Sequence, residues 1–248
     1  MDKFIDLLNT NGIIDFSNVD FMDDISEYNK SLINFENYEP QPTLLSWRDS
    51  KHIYPNLDPR HRYIVDTIKE NNYKKIIDLG AGAGCVSKPL YHEYGTEIEE
   101  LVCVEHNKTH FKQMLDNFDN QTHVVPPDIK VKSNTINKDI LETLKSYSDN
   151  YFDVGFTCTV LMHIPYILAV QIIKEISRVC KNVIHTENQN DLINCVIKGK
   201  TNLTEQYCCI NYPLIYNKLN FNIKQCDFVK DPYVDNCYYV YLHANKKI

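Results

Sequence analysis

Ten residues, Lys75-Ile76-Ile77-Asp78-Leu79-Gly80-Ala81-Gly82-Ala83-Gly84, constrain this chain more than any others. The apolar run has the length and character of a buried strand, and an acid stands near its end. Three glycines follow at alternate positions before a helical pattern resumes, which sets a strand, a tight turn and a helix N-terminus in order. Glycine suits such a turn because a Cβ clashes where φ is positive and holds a ligand away from the main chain. A nucleoside can lie against a turn of this kind.

The strand and helix signals continue to alternate downstream. Residues 86–94 have a helical pattern that tolerates Pro89 only in its first turn. Leu101-Val102-Cys103-Val104-Glu105 is a second buried strand ending in a carboxylate, and residues 109–120 form the next helix. A third strand is expected near Val131, followed by a turn and helix opened by Asn137-Lys138-Asp139-Ile140-Leu141. Residues 151–158 form an apolar fourth strand with an exit loop over 159–165, and a well-patterned helix over 167–179 leads to a fifth strand, 182–187. Weaker helical patterns near 192–197 and 214–219 precede two alternating runs, 221–229 and 237–242, that read as a closing hairpin. Five β-α repeats and a hairpin indicate a mostly parallel α/β sheet with an antiparallel intruder, covered by helices on both faces.

The glycine spacing separates two cofactor classes. Dinucleotide-binding turns follow G-x-G-x-x-G, and the position of their third glycine is Cys85 here, which disfavours a dehydrogenase. Asp78-x-Gly80-x-Gly82-x-Gly84 instead resembles the first motif of class I S-adenosylmethionine-dependent methyltransferases. Tyr151-Phe152-Asp153-Val154, a small polar residue and Leu161-Met162-His163 resemble the fourth region of the small-molecule members of that family.

The resemblance spans about residues 60–248. It implies a Rossmann-like seven-stranded sheet of order 3-2-1-4-5-7-6, with strand 7 antiparallel and S-adenosylmethionine as cofactor. On it, Asp78, Gly80, Ala81, Gly82 and Gly84 form the cofactor turn and Glu105 takes two ribose hydroxyls, the role of an acid about 20 residues past such a turn. His106 and the Asp139-Ile140 pair lie at the adenine, Thr157 and Cys158 beside the cofactor, and His163 and Glu187 on the acceptor side. His163 is the expected general base, with Glu187 orienting it or holding substrate. Each assignment has a plainer alternative, since aspartate also caps helices and a histidine after strand four also ties loops. His106 and His110 have i,i+4 spacing but no evident third ligand, so no metal site is expected.

The acceptor is read by elimination. An Asn/Asp-Pro-Pro-Tyr motif, which nucleobase and protein amide methyltransferases share after strand four, is replaced by Thr157-Cys158-Thr159-Val160. The strand-ending aspartate of cap ribose methyltransferases is absent, because Asp153 lies at the opposite end. A net charge of −7 opposes a large basic face of the kind that binds nucleic acid. A small-molecule acceptor methylated on oxygen or nitrogen, such as a sugar or natural-product intermediate, is therefore the leading expectation. An RNA-directed enzyme and a non-catalytic cofactor-binding subunit stay open.

Residues 1–60 are expected to form a helical cap or lid extension ahead of a cofactor-binding domain over 61–248, with residues 39–42 as a linker, and the segment from Trp47 to Tyr63, which carries Arg60 and His61, is expected to order over the cofactor as a mobile lid. The uncharged run 154–173 approaches the roughly 20 residues of a spanning helix but contains Gly155, His163, Pro165 and Gln171. No membrane span is expected from it. Nine cysteines without a C-x-x-C pair, behind an N-terminus that lacks a signal-peptide pattern, fit a cytoplasmic, reducing compartment. Oligomeric state is not legible.

Overall fold

The computed structural model describes residues 58–119, 132–164, 166–189, 210–230 and 238–247. The expected helices within residues 1–57, the linker at 39–42, most of the lid including Trp47, and the helical region at 192–197 lie outside these residues.

Seven strands form one sheet: β1 Lys75–Leu79, β2 Glu100–Val104, β3 Lys132–Ile136, β4 Phe152–Cys158, β5 Cys180–Gln189, β6 Phe221–Lys230 and β7 Tyr238–Lys246. Their order is β3-β2-β1-β4-β5-β7-β6, and β7 runs antiparallel to both of its neighbours. This is the expected Rossmann-like architecture. The third strand starts one residue after Val131, and the fifth is longer than its apolar run because it begins directly where the preceding helix ends.

Helices cover both faces. Helix α1 Pro59–Glu70, α2 Ser87–Tyr94 and α3 Lys108–Asp119 bury Ile64, Ile68, Leu90 and Met114 against Ile76, Leu101 and Phe156. On the other face, α4 Ile140–Lys145, α5 Tyr166–Val179 and α6 Tyr212–Lys218 pack Leu144, Ile172, Ile176 and Tyr216 against Ile77, Val102 and Val183. Neighbouring positions on β1 and β2 thus face opposite cores, which is why these strands are continuous apolar runs rather than alternating ones. Asp58 caps α1 by accepting the Arg60 N–H at 2.9 Å. Pro89 is tolerated as the third residue of α2.

The strand order places a switch point between β1 and β4, from which successive strands extend in opposite directions. In open α/β sheets the carboxyl ends of the strands at such a point form the ligand crevice. Among the described residues no helix is long and apolar enough to cross a membrane.

Gly155, central on β4, lets the fifth strand and its helix approach: a Cβ there would stand 2.6 Å from Cys180 Sγ and 3.2 Å from Ile77 Cγ2. Both neighbours are fully buried. Gly155→Ala is expected to lower stability by about 1–3 kcal/mol in chemical denaturation, the usual scale of overpacking. Because the position lies away from the carboxyl ends, ligand affinity should stay unchanged.

Candidate active site

The glycine turn after β1 is pinned from two sides. The N–H groups of Gly80 and Ala81 both donate to the Val104 carbonyl, each at 2.9 Å. Gly82 N–H donates to Glu105 Oε2 at 2.8 Å, and Asn107 N–H donates to Glu105 Oε1 at 2.6 Å. Gly80 and Gly82 have φ of +76° and +56°, the left-handed region that disfavours side chains. Their surroundings differ. A Cβ on Gly80 would lie 2.6 Å from both methyls of Val160, so packing alone excludes one, whereas a Cβ on Gly82 would meet nothing within 4 Å. The turn therefore leaves a cradle open at Gly82.

Asp78 lies beneath this cradle rather than in it. It is 3% exposed, its carboxylate accepts from the Ser87 hydroxyl, and Ser87 Oγ accepts in turn from the Cys103 thiol at 3.2 Å. Burial pushes Asp78 up to about 7; the Ser87 bond opposes this and the nearby Glu105 charge adds to it.

Two asparagines complete the frame. Asn117 on α3 donates to the Ala83 carbonyl at 2.8 Å, and Asn137, after β3, donates to the carbonyls of Glu105 and His106 at 2.8 and 3.0 Å. His106 is exposed. Asp139 caps α4 by accepting the Glu142 N–H at 3.0 Å, and Ile140, 6% exposed, joins the core.

The second half of the site is the exit from β4. Parallel pairing sets Thr157 beside His185 and Cys158 beside Thr186. The Thr157 hydroxyl donates to Glu187 Oε1 at 2.6 Å and lies 2.7 Å from His185 Nδ1, while His185 Nε2 lies 2.6 Å from the Tyr216 hydroxyl. Since Thr157 gives its only proton to Glu187, it accepts from Nδ1–H, and Nε2 accepts from Tyr216. Burial holds the His185 imidazole down to about 3, so this neutral tautomer persists at pH 7. Glu187, fully buried, also accepts the main-chain N–H groups of Val160 at 3.0 Å and of Leu161 and Met162 at 3.3 Å.

Leu161 and Met162 belong to a short 3-10 turn, Leu161–His163, and Val160 is its N-cap. His163 N–H closes the turn on the Val160 carbonyl at 3.0 Å, and burial lowers its imidazole pKa, so the ring is neutral at pH 7. The Cys158 thiol stays protonated, pushed up to about 12 by burial. The start of α1 reaches the same end of the sheet: Arg60, paired with Asp58 at 2.5 Å, lies 4.6 Å over the Tyr239 ring, whose residue pairs with Asn188 of β5.

The structure thus gathers Gly80, Ala81, Gly82, Gly84 and Glu105 around one turn and joins them through Val160 to the segment from Thr157 to His163. Thr157 and Glu187, expected beside the cofactor and the acceptor, turn their polar groups toward each other and toward the turn main chain. Asn117, Asn137, His185 and Tyr216 have no sequence signal of their own. Only the register of folded elements reveals them. Among the described residues, no group of three or more His, Cys, Asp or Glu side chains is arranged to hold a metal ion.

Residues 77–183 match a family model described as a methyltransferase domain. No curated protein sequence gives a significant match. Among solved structures the chain is similar to magnesium protoporphyrin IX methyltransferase from Synechocystis with bound S-adenosylmethionine, at 14% identity and TM-score 0.55, covering 93% of this chain and 100% of that one. It is also similar to a geranyl diphosphate methyltransferase in complex with GPP and sinefungin, at 11% identity and TM-score 0.54, covering 76% and 78%. A third is the small RNA methyltransferase HEN1, at 14% identity and TM-score 0.55, covering 76% of this chain and 25% of that one. At these identities the likeness is one of fold.

The residues present fit S-adenosylmethionine, the cofactor of such a domain. Space is open at Gly82, and each Glu105 oxygen takes one main-chain N–H, which leaves a lone pair on each for a ribose hydroxyl.

Two expectations follow from this geometry. Gly82→Val adds backbone strain of about 1–2 kcal/mol and fills the cradle, so calorimetry should show cofactor affinity lowered by at least about tenfold in a folded protein. Unchanged affinity would place the cofactor elsewhere. For Asp78, the folded-state pKa of about 7 lies above its ordinary value, so its contribution to stability is present at low pH and lost as pH rises through about 7. Denaturation from pH 4 to 8 should show this loss in the wild type and a flatter curve in Asp78→Asn.

Proposed function

We propose that this chain, whose residues 77–183 match a methyltransferase-domain model, transfers a methyl group from S-adenosylmethionine to an oxygen or nitrogen of a small-molecule acceptor, with His163 as general base. One observation carries this reading. Val160 packs on Gly80 while the turn it opens ends at His163, so a neutral imidazole stands on the element that touches the cofactor turn.

When bound, S-adenosylmethionine supplies a methyl carbon made electrophilic by the adjoining sulfonium, which leaves as a thioether. The chain's own residues then have limited tasks: alignment, exclusion of water and removal of one proton. Glu105 holds the ribose, and the main chain at Gly82 lets the ligand lie close. An imidazole nitrogen of His163 takes the proton that a hydroxyl acceptor must lose. Glu187 assists at one remove, by holding the turn that carries His163.

Two things favour a small acceptor. A net charge of −7 gives the chain no large electrostatic attraction for a polyanion. Two of the similar structures are, by name, a magnesium protoporphyrin IX and a geranyl diphosphate methyltransferase. Transfer of labelled methyl to a panel of hydroxyl, carboxyl and amine acceptors, with a short RNA as a parallel arm, tests the reading. Turnover on RNA alone would replace it with the RNA-directed alternative. With a hydroxyl acceptor, His163→Ala is expected to lower turnover by roughly 10²–10⁴-fold at nearly unchanged cofactor affinity. If the variant instead loses stability and cofactor binding together, the histidine is a structural tie.

A further inference from the structure

Thr159 is the strained residue of this site. Its φ is +54°, whereas the other non-glycine residues with positive φ among the described residues, Asn72, Asn150 and Asn220, are all asparagines, which tolerate that region. A β-branched side chain does not adopt it without compensation, and such strain persists only where the surroundings over-determine it. The surroundings here are specific. Thr159 N–H donates to the Thr186 carbonyl at 2.8 Å, and the next three main-chain N–H groups, from Val160 to Met162, all end on the Glu187 carboxylate.

Glu187 is in turn fixed from behind. The protons of Tyr216, His185 and Thr157 are all directed toward it, so its Oε1 receives a chain of bonds that begins on α6. Every partner of the carboxylate is a donor. A glutamine at this position has one acceptor oxygen and an amide that would face those donors with its own hydrogens.

We propose that Glu187 is a positioning residue: its carboxylate holds the strained Thr159 turn in the conformation that seats Val160 on Gly80, and so sets cofactor affinity without touching the cofactor. The coupling runs along named contacts. The carboxylate fixes the N–H groups of 160–162, the turn fixes the Val160 side chain, and both Val160 methyls occupy the place a Cβ on Gly80 would take. The glycine turn on the far side of that contact also supplies the N–H that engages Glu105. The inference rests on the cofactor-binding reading above, and the experiment separates the two.

The test uses the full chain, S-adenosylhomocysteine as probe, calorimetry for affinity and amide hydrogen exchange for the turn. If the wild type fails to bind the probe, the cofactor reading fails. Exchange in the free protein then still judges the anchor. In Glu187→Gln, the amides of 160–162 should exchange faster and affinity should fall by about tenfold, the scale of one lost charge-assisted hydrogen bond. Adding Thr159→Asn, which relieves the strain the carboxylate otherwise holds, should restore part of both. A merely structural buried acid would show lost stability with no such rescue. Thr157→Val removes one donor and is read in place of Glu187→Gln if that chain does not fold; the same pattern at smaller amplitude is expected. Unchanged exchange at 160–162, unchanged affinity in a wild-type background that binds, or a double variant no better than Glu187→Gln each overturns the proposal.

Discussion

The N–H groups of Gly80 and Ala81 converge on one acceptor, the carbonyl of Val104, and the site is built outward from that convergence. Parallel pairing of β1 and β2 brings Leu79 level with Val104, so the strand that enters the turn and the strand that receives its hydrogen bonds end together. With the turn fixed there, Gly82 N–H reaches the carboxylate of the residue that follows β2, and Glu105 becomes part of the turn as well as its neighbour. The other wall is Val160, packed so closely that Gly80 has no room for a side chain. Two main-chain bonds, one carboxylate and one side-chain contact therefore determine where a ligand can lie.

Three buried carboxylates surround this frame, and the number of donors each receives separates their behaviour. Asp78 has one hydroxyl partner and a like charge nearby, so burial prevails and its pKa moves to about 7. Glu105 takes two main-chain N–H groups and lies at the rim of the turn, with lone pairs to spare. Glu187 is the deepest. Burial raises its pKa, while Thr157 and three main-chain N–H groups favour its ionised form. A carboxylate this buried is tolerated because each oxygen is met by several donors, and the same arrangement makes it sensitive to the loss of any one.

The fold was legible because it rests on local signals in a fixed order. The glycine turn, the apolar runs and the closing hairpin each announce themselves within ten residues, and together they fix the class. The place of Glu105 beside the turn was legible for the same reason, as a strand-ending acid at a set distance past it. The chain of bonds that ends on Glu187 was not. Thr157, His185 and Tyr216 are 28 to 31 residues from one another along their bonds, and only the β4–β5 register and the packing of α6 bring them together. Asn117 and Asn137 are hidden likewise, since an asparagine that bonds to a distant carbonyl looks in sequence like any polar surface residue. Asp139 shows the converse: it was visible, yet its bond to Glu142 N–H is what any capping aspartate makes.

The two ends of the sheet use their acids in different ways, and the difference explains why chemistry belongs at one of them. At the amino ends, Asp153 accepts the N–H groups of Lys74 and Lys75 and pairs with Lys181, and Glu100 accepts the Tyr151 hydroxyl. The Asp153 side chain is 24% exposed, so water screens the pair and can replace it; such contacts are worth about 1 kcal/mol or less and their loss stays local. At the carboxyl ends, Glu105 and Glu187 are 8% and 0% exposed, and each holds the main chain of a turn, Glu187 with the Thr157 hydroxyl as a further donor. Removing one of these acids leaves N–H groups without partners and frees the turn they hold. Only there does a change in one side chain become a change in the shape presented to a ligand.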